Sequence, residues 1–339
     1  MAEREADEPR PRDALEERDE LDDLAEPPES RPSALRRALR RLRIPAPWSN
    51  LLLFLATIAS TFYVGASVND ASTSPWRGWT FAVPLLAILV THEFGHWIQA
   101  RRYGVQASLP YFIPLPLPPI GTMGAIISMR GRIRSRDALF DIGASGPLAG
   151  LAIAIPVLML GLRWSPVMPI PEHGTDEGQC LLYLLLKRVV LGPIPHGHDV
   201  FLHPTAFAGW VGLFMTMLNL IPVGQLDGGH VAYALFGTKQ DRASRWAHRS
   251  LLLVAVLDGL YMAGVALRAH KPWGEVFGAL PTGLNWLVWF GVLWLLTRGP
   301  RAAHPPTDDD RLSPVRRVLA WGTLCLFVLL FMPFPLSQH

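Results

Sequence analysis

Seven apolar stretches, at about residues 50–68, 80–101, 138–162, 205–222, 250–268, 284–297 and 315–333, alternate with short charged or Pro- and Gly-rich connections. A hydrocarbon core of ~30 Å takes about 20 helical residues to cross, so a chain patterned this way must give most of its length to a membrane. The expected fold class is an all-α polytopic membrane protein with about six or seven transmembrane helices, the 284–297 stretch being the shortest. Only 17% of the 339 residues are charged. Two cysteines, Cys180 and Cys325, offer neither a disulfide framework nor a thiolate metal site, so any metal must be held by His and carboxylate.

Charge sits in blocks. Residues 1–30 are rich in Asp, Glu, Arg and Pro, the composition of a disordered acidic tail, and they lack the apolar core of a cleavable signal peptide. Residues 31–49 form a basic juxtamembrane segment with Arg36, Arg37, Arg40, Arg41 and Arg43, suited to an anionic membrane surface. A catalytic membrane core is expected at 50–240 and additional C-terminal transmembrane helices at 241–339. Numbering the connections in turn, one side collects the arginines of 31–43, 101–136, 242–249 and 298–317 with Lys239, whereas the other holds Arg77, Arg163, Lys187, Arg188, Arg268 and Lys271. Positive charge prefers the cytoplasmic side, which predicts a multi-pass protein of the cytoplasmic (inner) membrane with its N-terminus inside.

Two connections are unusual. Residues 110–129, with Pro110, Pro114, Pro116, Pro118 and Pro119, are too apolar for a solvent loop and too Pro-rich for a helix. They predict a re-entrant extended, β-like element after the second helix, lining a cavity, because non-helical backbone at membrane depth is tolerated only inside protein or against water. Residues 181–195 are apolar but short and carry Lys187 and Arg188, which predicts an interfacial or partly re-entrant helix.

The chemistry is concentrated at two places. The second apolar stretch ends Thr91-His92-Glu93-Phe94-Gly95-His96. Residues four apart share a helix face, so His92 and His96 direct two imidazoles at one ion, and Glu93 adjoins them as a carboxylate able to take a proton from water. Such groups in an apolar helix are costly without a purpose, and a metal supplies one. A catalytic zinc takes three protein ligands, and the third candidate is Asp227, where Pro222, Gly224, Gly228 and Gly229 interrupt a helix and open a polar pocket. A salt bridge to a nearby arginine, or a cap on the helix that begins at Gly228, are the other readings of Asp227, and His230 is the rival ligand. Asn219 is either a buried anchor for the broken helix or a donor to a substrate carbonyl. His196, His198, Asp199 and His203 fall in a connection on the opposite face, where solvated loop histidines are the simpler account.

These residues resemble the site-2 protease family of intramembrane zinc metalloproteases. The likeness is carried by His92-Glu93-Phe94-Gly95-His96, by Asn219-Leu220-Ile221-Pro222 running into Leu226-Asp227-Gly228-Gly229, and by Ser145-Gly146-Pro147-Leu148-Ala149-Gly150 between them. It spans about residues 80–240 and implies one Zn²⁺ per chain, with hydrolysis of peptide bonds in transmembrane segments as part of regulated intramembrane proteolysis. The implied partners are membrane proteins with single transmembrane segments, not nucleic acid. The resemblance also implies that the element containing Gly121, Gly124, Ile126 and Ile127 takes an unwound substrate segment as an added strand. The 163–204 connection is too short for a PDZ domain, which points to the PDZ-less branch. Two other classes fit less well. A zinc-binding chaperone or pseudoprotease would not need Glu93, and a metal transporter would need ionisable residues continuing across the membrane, whereas apart from Asp258 they gather at one depth.

Overall fold

The computed structural model describes residues 47–68, 75–130, 133–171, 174–297, 307 and 311–338. The acidic tail and the basic segment up to residue 46 lie outside the described residues. The first helix, α1 (Trp48–Val68), carries no Asp, Glu, Lys or Arg. A 3₁₀ turn at Pro75–Gly78 leads into α2 (Trp79–Arg102), whose last turn holds Arg101 and Arg102, cations that complement the carbonyl end of the helix dipole.

The Pro-rich connection folds into two small antiparallel ladders. Strand β1 (Gln106–Ala107) pairs with β4 (Met129–Arg130), and inside that frame β2 (Tyr111–Pro114) pairs with β3 (Thr122–Ile126). The inner register sets Tyr111 opposite Ile126 and Phe112 opposite Ala125, then shifts before Pro114 meets Thr122. The hairpin lies on α1, where Asn50 Nδ2 donates to the carbonyls of Leu109 and Pro110 at 2.9 Å and Ser60 Oγ donates to the Gly121 carbonyl at 2.6 Å.

Helix α3 (Arg136–Arg163) opens with Ser135 accepting the Ala138 amide, an N-cap that satisfies one of the free donors of the first turn. It runs antiparallel to α2, and the small residues Gly143, Ala144, Gly146 and Gly150 lie on its buried face. Beyond it come β5 (Val167–Pro169), β6 (Thr175–Glu177), α4 (Leu181–Leu191) and β7 (His198–Val200). At 11 residues α4 is about 16 Å long, too short to cross. Helix α5 (Pro204–Asn219) is buried along most of its length between α2 and α3. A turn over residues 221–226 then feeds α6 (Asp227–Phe236), a 3₁₀ turn at Gly237–Lys239, and α7 (Gln240–Arg268). The chain closes with α8 (Trp273–Gly278), α9 (Leu284–Thr297), α10 (Pro314–Leu330) and β8 (Leu336–Gln338), which returns to pair with β6.

Four helical segments among the described residues are long and apolar enough to cross a membrane: Trp48–Ser67, Trp76–Arg102, Arg136–Arg163 and Asp227–Arg268. The stretches at 205–222, 284–297 and 315–333 form helices of 16, 14 and 17 residues. The stretch at 250–268 is the second half of a run that already begins at Asp227 and is interrupted only by the turn at 237–239. Apolar composition marked these segments, but α5 stops at Asn219 ahead of Pro222, and α10, which Pro314 opens at its N-terminus, stops at Leu330 ahead of Pro333.

Candidate metal centre

His92, Glu93 and His96 sit on the buried half of α2, each no more than 7% exposed. The Nε2 atoms of His92 and His96 are 3.2 Å apart. Asp227 Oδ2 completes a triangle, 3.3 Å from His92 Nε2 and 3.2 Å from His96 Nε2. No other group of three His, Cys, Asp or Glu among the described residues is gathered closely enough to hold an ion.

The approach of Asp227 depends on its neighbours. The turn after α5 is pinned by the Gly224 amide donating to Ser244 Oγ at 2.9 Å. A Cβ on Gly228 would fall 2.0 Å from the Leu220 carbonyl oxygen, and one on Gly229 would fall 2.3 Å from that of Gly224. The paired glycines therefore let α6 start directly on the turn, which presents its first residue to α2. Leu226 holds the N-cap position and the Asp227 carboxylate points at the imidazoles, and among the described residues neither a side-chain cap bond nor an arginine salt bridge engages it.

Helix α3 supplies the back wall. The Ile142 carbonyl lies 2.7 Å from His96 Nδ1, which leaves Nε2 to face Asp227 and fixes the ring, as a second hydrogen bond commonly does for a metal-ligating histidine. A Cβ on Gly146 would stand 2.0 Å from His96 Nε2, and one on Gly150 would stand 3.1 Å from His92 Cβ. Two glycines four apart on α3 thus receive two histidines four apart on the antiparallel α2. The spacing is visible in the sequence, but only the antiparallel pairing of the helices gives it meaning.

The other candidate residues are distributed as follows. Asn219, at the end of α5, places Nδ2 3.2 Å from His92 Nε2, so it faces the same pocket. His230 packs its Cβ against α3 at Gly143 and is not in the three-residue group. Gly121 lies on α1 at φ +83°, where a Cβ would stand 2.9 Å from Thr61 Cα, and Gly124, at φ +90°, faces Met215 of α5. Strand β3 packs on α2, with Ile126 exposed and Ile127 just past the strand end. The hairpin glycines are thus held by packing, while Met123 and Ile126 of the strand are exposed.

The connection between α3 and α5 joins the far ends of those helices, about 30 Å along α3 from Ile142. There His203 accepts the Thr205 amide as the N-cap of α5, and burial together with nearby Arg77 holds its imidazole below the usual pKa. Asp199 pairs with Lys187 at 3.3 Å.

The donor set suits zinc. Two imidazole nitrogens and a carboxylate are a common catalytic arrangement, and ligand atoms at about 2.0–2.1 Å from a tetrahedral centre lie about 3.3–3.4 Å from one another. The three separations found here, 3.2, 3.2 and 3.3 Å, match that edge length. Glu93 neighbours His92 in the chain, and no hydrogen bond or ion pair engages its carboxylate among the described residues.

A family model described as Peptidase family M50 matches residues 80–258. The chain is similar to the probable zinc metalloprotease EGY1, chloroplastic, of Oryza sativa subsp. japonica, with 31% identity over 62% of this chain and 41% of that protein. It is 27% identical to the probable zinc metalloprotease EGY2, chloroplastic, of Arabidopsis thaliana, over 74% of this chain and 41% of that protein. It is 28% identical to the probable zinc metalloprotease EGY3, chloroplastic, of Oryza sativa subsp. indica, over 86% of this chain and 49% of that protein. The chain thus spans less than half the length of these curated relatives. No solved structure matches.

Proposed function

The chain belongs to peptidase family M50, the site-2 protease family, and we propose that this integral membrane protein is a zinc metalloendopeptidase that cuts membrane proteins within or beside their transmembrane segments. One observation carries the reading: His92 Nε2, His96 Nε2 and Asp227 Oδ2 converge at the spacing of a tetrahedral zinc site, with a buried carboxylate, Glu93, beside them.

His92, His96 and Asp227 would hold one Zn²⁺, with the Ile142 carbonyl keeping His96 in the tautomer that offers Nε2. When bound, zinc supplies a Lewis acid that polarises the scissile carbonyl and acidifies the attacking water. Glu93 takes the proton of that water and delivers it to the departing amine, the two-way role of a general base that becomes a general acid. Asn219 Nδ2, on the His92 side of the pocket, donates to the oxygen of the substrate carbonyl. Because a helix hides its carbonyls in its own ladder, a substrate segment must unwind first, and Gly, Pro or Asn in it should help.

The finer points belong to the same proposal. The short apolar helices α5, α9 and α10 join the four long segments to give six or seven crossings, with the β2–β3 hairpin re-entering among them. The arginine asymmetry supports a cytoplasmic membrane, an N-terminus inside and a site near the cytoplasmic face. Substrates are membrane proteins with single transmembrane segments, cleaved in regulated intramembrane proteolysis, and the open end of β3 at Ile126 and Ile127 is the edge that an unwound segment would join.

The test is metal content. Purified protein should contain one tightly held zinc per chain, lost in the His92→Ala, His96→Ala double variant. Unchanged zinc in that variant would remove the site assignment.

A further inference from the structure

Helix α10 lies beyond the matched residues 80–258, yet it packs on α3, α5 and α6, three of the elements that build the metal centre. Arg316, in its first turn, reaches back to the start of α3. Its Nε donates to Asp141 Oδ1 at 2.9 Å and its Nη2 to Asp141 Oδ2 at 2.8 Å, a two-pronged fork on one carboxylate. Nη1 donates to Asp137 Oδ2 at 3.1 Å, and the Ser313 amide to Asp137 Oδ1 at 2.9 Å. Nη2 also donates to the hydroxyl of Tyr103, the residue that closes α2, and that hydroxyl in turn donates to Asp141 Oδ2. Asp141 directly precedes Ile142, whose carbonyl holds His96.

The same helix carries α6. Ala320 and, just ahead of the helix, Leu312 share one apolar cluster with Leu139, Phe140 and Ala144 of α3 and with Val231, Tyr233 and Ala234 of α6. Trp321 sets its ring edge-to-face on Phe236, 5.5 Å between centroids. One rigid element thus fixes the end of α2, the start of α3 and the helix that Asp227 begins. Without Arg316, Asp137 and Asp141 would be two like charges four residues apart on one helix face, which repel.

We infer that α10 clamps the metal centre, with Arg316 as a positioning residue: it anchors α3 to the end of α2 through Asp141, keeping the Ile142 carbonyl on His96, while its helix holds α6 and Asp227 opposite. This inference rests on the zinc reading above. Zinc release to a competing chelator, followed in the full-length purified protein alongside thermal unfolding, tests it. Arg316→Gln should release zinc at least roughly tenfold faster than the unaltered protein, the scale seen when a supporting partner of a metal ligand is lost. Asp137→Asn with Asp141→Asn should lose a similar factor, and joining it to Arg316→Gln should add little, because both break one network.

Leu330→Ala, at the far end of α10, is the control for loss of stability alone. It should lower the unfolding temperature without speeding zinc release. If Arg316→Gln fails to fold, Arg316→Lys keeps the charge without the fork and should release zinc a few-fold faster. Wild-type release in whichever Arg316 variant folds overturns the clamp and leaves the protease reading standing. So does release that follows unfolding temperature equally in the Leu330→Ala and Arg316 variants. Unaltered protein that holds no zinc overturns both.

Discussion

Replacing Gly146 by Ala adds one methyl group at the tightest point of the metal centre. Its carbon would lie 2.0 Å from His96 Nε2, 2.4 Å from Cδ2 and 2.5 Å from Cε1. Non-bonded heavy atoms settle at about 3.5 Å, so the ring would have to retreat by about 1.5 Å or turn away. Metal–ligand distances tolerate only about 0.2 Å, so either movement removes His96 from the ligand set and strains its hydrogen bond to Ile142. Overpacking of this kind costs about 1–3 kcal/mol, partly offset by the ~1 kcal/mol that Ala gains over Gly inside a helix. The protein should therefore fold with a modest loss of stability and lose its zinc. Gly150→Ala is the graded partner, because its methyl would meet His92 Cβ at 3.1 Å, a few tenths of an ångström too close. It should keep zinc and most of its activity. Elemental analysis and thermal unfolding of both purified variants decide the matter, and a Gly146→Ala protein with stoichiometric zinc would refute the packing of His96 on α3.

Two further predictions address topology and substrate. With exposed Cys325 replaced by Ser, cysteines at Arg134 or Arg245 should be protected from an impermeant thiol reagent in intact cells, while one at exposed His196 should be labelled; the reverse pattern overturns the orientation. Proline at Ile126 or Ile127 removes a backbone donor from the open end of β3 and should slow cleavage of membrane substrates without loss of zinc. Wild-type rates in both proline variants would send substrate recognition elsewhere.

What the sequence disclosed here follows from which signals are local. The i, i+4 spacing of His92 and His96 and the helix break before Asp227 are local, and the structure brings these residues within 3.3 Å of one another. Asn219 was legible as a buried polar residue, but its place beside His92 depends on α5 packing against α2. The roles of Gly146 and Gly150 required knowing that α2 and α3 run antiparallel and in which register. The Arg316 network joins residues 175 or more apart in sequence, and in one chain it reads only as a charged connection. Apolar composition predicted where helices lie but not where they stop: Pro222 and the turn after it shorten α5, and the 3₁₀ turn at Gly237–Lys239 separates α6 from α7 within one apolar run. The pairing of β6 with β8 had no signal, since both strands are three residues long and lie in unrelated connections.

The central claim, that this pocket hydrolyses peptide bonds with Glu93 as its proton acceptor, is tested most directly by a paired measurement on the unaltered protein and the Glu93→Gln variant. Zinc content and cleavage of a reconstituted reporter with a single transmembrane segment containing Gly and Pro would be read from the same preparations. The amide keeps the shape of the side chain and leaves His92, His96 and Asp227 in place, so both proteins should carry one zinc per chain. Only the unaltered protein should cut the reporter, while the variant should hold it intact. Cleavage by the zinc-loaded Glu93→Gln protein at the unaltered rate would contradict the account.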